Sequence, residues 1–139
     1  MKKLLFLFIF ILIFVTGCSN IVNYSVDYLD VSSADANVKK WIENNGKANG
    51  IYLGRINESD EVNLYYLYVN YTNPVDKNSI DSVSINSNGK KSLLINTKLR
   101  SSDQAIDEKL FCITIKEKSL EKIVLNGQDI ITSSIPIIK

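Results

Sequence analysis

Histidine is absent from all 139 residues. With it goes the commonest general base and the commonest metal ligand, and every nucleophile mechanism built on a Cys–His pair. Proline and arginine occur twice each and tryptophan once, at Trp41. No repeat, low-complexity block or Pro/Gly-rich linker divides residues 18–139, which predicts a single domain. The charge is nearly balanced, 16 basic against 15 acidic residues. Beyond Lys2 and Lys3 no cluster of lysine or arginine could follow a phosphate backbone or hold an anionic membrane surface. Nucleic acid is therefore not an expected partner.

What is present begins at the start of the chain. Lys2 and Lys3 precede twelve consecutive apolar residues, Leu4 to Val15, and then Thr16-Gly17-Cys18. Twelve helical residues span about 18 Å, well short of the roughly 30 Å hydrocarbon core, so the run suits a secretory signal better than a membrane span. Residues 1–18 resemble the signal peptide and lipobox of bacterial lipoproteins. That resemblance implies removal of residues 1–17 and a diacylglyceryl group on Cys18, the new N-terminus. It also implies attachment to the cell membrane on its extracytoplasmic face. Two acyl chains anchor stably where one is marginal. Cys112 would then be the one remaining thiol, and the mature domain would carry no internal disulfide.

The expected organisation is a signal peptide at 1–17, a short lipidated tether at 18–22 and one α+β domain at 23–139. That domain has one N-terminal amphipathic helix packed on a mainly antiparallel sheet of about six to eight strands. Alternation of Tyr24, Val26 and Tyr28 predicts a first strand over 23–31. Ser32 and Ser33 are candidate N-caps, with Asp35 completing a weak capping box. Ala34, Val38, Trp41 and Ile42 follow at helical spacing, and Gly46 is the stop. Strands are expected at 50–56, 62–71, 80–86, 92–98, 110–116 and 123–125, with a hairpin at Asn126-Gly127 leading into 128–131. Pro136 confines the apolar ending to an edge or a tail. The strand at 62–71 is apolar on both faces, which requires a cover on each. At Asn88-Gly89, burial favours a three-residue loop that pairs Val83 with Ile95 and Ile85 with Leu93.

The search for chemistry yields little. Ser87–Lys90 and Ser119–Lys122 match Ser-x-x-Lys, but the companion motifs of penicillin-binding enzymes are missing. Glu58, Asp60 and Glu61, and likewise Asp103, Asp107 and Glu108, read as solvated turns rather than calcium loops. Three Asn-x-Ser/Thr sequons carry no weight in a bacterial lipoprotein. Cys112 lies opposite Phe111, Ile113 and Ile115 in its strand and reads as a small packing residue. Tyr52, Tyr65, Tyr66, Tyr68 and Tyr71 crowd two neighbouring strands, either as sheet core or as an exposed binding face.

No enzyme activity, cofactor or metal is expected from these residues. The functional expectation is a non-enzymatic surface lipoprotein, bound to the membrane through Cys18 and serving a membrane-proximal protein partner. The alternative is a ligand-binding lipoprotein for cell-wall glycan or a small molecule.

Overall fold

The computed structural model describes residues 21–57, 62–89, 91–102, 107–116 and 120–139. The signal peptide and Cys18 lie outside the described residues. So do Glu58, Asp60, Glu61, Lys90, Asp103 and Ser119.

Among the described residues, eight strands and one α-helix form a mixed α+β domain. In chain order they are β1 (Tyr24–Leu29), α1 (Ala36–Asn45), β2 (Gly50–Asn57), β3 (Asn63–Asn70), β4 (Asn78–Ser87), β5 (Ser92–Ser101), β6 (Glu108–Ile115), β7 (Lys122–Leu125) and β8 (Gln128–Ile131). Instead of the single sheet expected, they build two four-stranded sheets, ordered β1-β6-β3-β2 and β4-β5-β7-β8. The first is antiparallel throughout, whereas β5 and β7 of the second run parallel. Hairpin signals disclose sequence neighbours only. The placement of β6 between β1 and β3 is a long-range pairing that no local signal encodes.

The doubly apolar strand explains the layering. Tyr65, Leu67 and Val69 of β3 face the second sheet, in a core with Ile80, Leu93, Ile95, Ile113 and Ile123. Tyr66 and Tyr68 face the other way, toward Val38, Trp41 and Ile42 of α1. The first sheet is thus the middle layer, with the helix on one face and the second sheet on the other. Cys112 is buried on the helix side, opposite Ile113 and Ile115.

Local chemistry sets the helix ends. Asp35, rather than Ser32 or Ser33, is the N-cap, and its carboxylate accepts from the Asn37 N–H at 2.8 Å. The two serines belong to a preceding 3-10 turn capped by Asp30. The Ser32 hydroxyl, and then the Ser32 N–H, hold the Asp30 carboxyl below its usual value. At the other end, the Gly46 N–H donates to the Ile42 carbonyl at 2.7 Å. A Cβ on Gly46 would come within 2.6 Å of the Tyr68 ring, so close approach demands glycine there.

The apolar C-terminal segment lies against the β2 edge. Arg55 N–H donates to the Pro136 carbonyl and the Ile138 N–H donates to the Arg55 carbonyl, each at 2.9 Å. Ile138 then packs over Gly54, beside Trp41.

Candidate functional site

A sheet edge offers rows of main-chain donors and acceptors, and natural proteins cover or blunt them. Three of the four edges here are managed. The C-terminal segment occupies β2 at Arg55. β4 carries a bulge between Ile80 and Ser82, and its Ile85 carbonyl accepts from the Tyr24 hydroxyl at 3.1 Å. β8 is only four residues long.

The fourth edge is β1, which pairs with β6 on one side and with no strand among the described residues on the other. The Lys116 N–H donates to the Asn23 carbonyl, so Asn23 and Lys116 form a hydrogen-bonded pair of the ladder. Such pairs alternate along an antiparallel ladder. Ser25, Asp27 and Leu29 therefore direct their main-chain groups to β6, while Tyr24, Val26 and Tyr28 direct theirs outward. The same alternation holds at the opposite edge, where Arg55 points outward and meets the C-terminal segment.

The side chains of this edge are also presented. Tyr28 is 64% exposed and Val26 37% exposed, two apolar side chains on one face of a strand. Tyr28 is steadied by an edge-to-face contact with Phe111, centroids 5.7 Å apart. Other exposed apolar side chains among the described residues are Ile21, Val75, Ile131 and Ile137, none of them in β1. The sequence reading missed Val26 and Tyr28 as site residues. Their alternation with Ser25 and Asp27 was visible, but edge position is a property of the assembled sheet.

The five tyrosines named from sequence do not share one face. Tyr52, Tyr66 and Tyr68 lie on the helix side and Tyr65 and Tyr71 on the second-sheet side. The period-two alternation of β3 divides neighbouring residues in this way. Tyr65, Tyr66 and Tyr68 are buried, and only Tyr52 and Tyr71 are partly accessible. The Tyr68 hydroxyl donates to Glu108 Oε2 at 2.7 Å. Burial and then that carboxylate push Tyr68 ionisation above the ordinary range. Burial also raises Tyr65 and Tyr71.

Among the remaining sequence candidates, Asp107 and Lys122 have structural partners. Asp107 accepts from the Ile80 N–H with its carboxylate, and its carbonyl accepts from the Tyr71 N–H. Lys122 pairs with Asp129 at 2.6 Å, and Ser87 ends β4. Between α1 and the C-terminal segment lies a shallow cleft of about 200 Å³, lined by Lys40, Trp41, Asn44, Ile137, Ile138 and Lys139. Among the described residues no group of three or more His, Cys, Asp or Glu side chains is placed to hold a metal ion. Comparison with family models, curated proteins and solved structures finds no match to this chain.

Proposed function

We propose that this chain is a bacterial lipoprotein, held on the extracytoplasmic face of the cell membrane by a diacylglyceryl group on Cys18. There it acts as a non-enzymatic accessory module that binds a partner protein close to the bilayer. The open edge of β1 carries this reading. An edge with three outward-directed residues and exposed Val26 and Tyr28 suits the addition of an extended strand from another polypeptide. The edge also lies next to the tether. About four residues separate Cys18 from Asn23, a reach of at most about 14 Å.

The cleft beside α1 gives little support to the alternative, a ligand-binding lipoprotein for cell-wall glycan or a small molecule. Ligand sites usually enclose about 300–1,000 Å³, more than the cleft beside α1 provides. Trp41 is buried at that cleft rather than laid open as a stacking surface.

Proximity can be tested without disturbing the fold. Inserting about twenty Gly/Ser residues after Asn20 lengthens the reach severalfold. The expected result is loss of cross-linking between this chain and other membrane-held proteins, with the amount of anchored protein unchanged. Unaltered cross-linking would show that nearness to the bilayer is irrelevant to what the module does.

A further inference from the structure

Resting on that reading, we infer that the strand received by β1 is β1 of a second copy of this chain. The open edge is self-complementary. The segment Tyr24-Ser25-Val26-Asp27-Tyr28 is nearly palindromic about Val26. Its outward-directed residues, Tyr24, Val26 and Tyr28, are symmetric about the same point. An antiparallel partner centred there sets Val26 against Val26 and Tyr24 against Tyr28. Each such pair exchanges two main-chain hydrogen bonds. The exposed Tyr28 ring then gains the Tyr24 ring of the other copy as a cross-strand neighbour.

Charge selects the register. Centred on Val26, Asp27 of each copy lies opposite Ser25 of the other, and the serine hydroxyl can donate to the carboxylate. Moving the centre to Asp27 places two carboxylates face to face, which is destabilising. Moving it to Ser25 sets Tyr28 opposite Val22, which precedes the strand and is buried in the core.

The geometry also closes. Two identical strands paired about a two-fold axis form an isologous contact that cannot propagate. The β2 edge, at the far side of the same sheet, is already occupied by the C-terminal segment, so the joined eight-stranded sheet ends there in both copies. With the two-fold axis normal to the sheet, both tethers emerge at one height and both anchors reach one bilayer. Confinement to a membrane raises the effective concentration of one copy for another. It also makes a short edge contact sufficient. The dimer would hold four acyl chains instead of two.

The test uses the full lipidated chain in intact membranes, expressed together as two differently tagged copies. Val26→Cys in both copies, treated with a short bis-maleimide, should give a covalent dimer carrying both tags. Lys98→Cys, an exposed position on the second sheet, should give none. Val26→Pro removes an outward N–H and leaves the β1–β6 ladder its own bonds. This variant should abolish recovery of one tag with the other from detergent extracts, while Trp41 fluorescence stays at its native position. If Val26→Cys joins a chain of another mass and gives no mixed-tag dimer, self-pairing is wrong and the partner-binding reading stands. Absence of any adduct at Val26 would overturn both.

Discussion

The tyrosines show at the scale of single residues how a residue type can be legible while its use is not. Seven tyrosines, five of them between positions 52 and 71, stand out in the sequence. Whether a phenol faces core or solvent depends on what covers each side of its strand. Tyr65 and Tyr66 are adjacent, yet one packs toward the second sheet and the other toward α1. The consequence is testable by pH. Tyr65, Tyr68 and Tyr71 have ionisation raised in the fold, first by burial, and at Tyr68 also by Glu108. A raised value favours the neutral phenol. The contribution to stability is therefore complete below about pH 10, the ordinary tyrosine value, and is lost as pH rises toward the folded-state values. Tyrosinate absorbance, compared with Tyr→Phe variants at these positions, should show Tyr65, Tyr68 and Tyr71 ionising above the ordinary tyrosine range. Ionisation of these three near pH 10, with the fold intact, would contradict the burial.

At the scale of elements, periodicity located all eight strands and the helix, because alternation and helical spacing are local properties. Register was only half legible. Val83, Ile85, Leu93 and Ile95 do share the buried side, as the pattern requires, but Ile85 pairs with Ile95 and Val83 with Thr97. The expected pairs, Val83 with Ile95 and Ile85 with Leu93, are two residues out. A slip of two keeps every side chain on its face, so burial alone cannot detect it. Contacts outside the hairpin also hold its turn. The Lys91 carbonyl accepts from the Glu121 N–H at 2.8 Å, and Lys91 and Glu121 form an ion pair. Asn126-Gly127, where both residues have positive φ, makes the tight two-residue turn that its sequence predicts. The helix carries a prediction of its own. Trp41 is 8% exposed and joins α1 to Tyr66, Tyr68 and Ile138. Trp41→Ala should cost about 3–5 kcal/mol, a large share of the roughly 5–15 kcal/mol that holds a small domain together. Thermal unfolding that matches the parent would show that the helix is not anchored there.

For the whole molecule, the three-layer arrangement follows from one requirement, that β3 be covered on both faces, but the identity of the second cover was not written locally. It comes from β4, β5, β7 and β8, which reach β3 only after the chain has crossed between sheets. The β1 edge is likewise a consequence of topology, since the insertion of β6 on its inner side leaves the outer side without a strand among the described residues. The proposed attachment is the reverse case. It rests entirely on residues 1–18 and owes nothing to the fold. The proposed function depends on it, because a short tether would place the β1 edge beside the bilayer. The most direct measurement is metabolic labelling with a palmitate analogue, with membrane fractionation, of the parent and of Cys18→Ala. The parent should be labelled and sediment with membranes, and Cys18→Ala should lose the label and fail to be retained as a processed lipoprotein. Labelling and membrane retention unchanged in Cys18→Ala would contradict the account at its root.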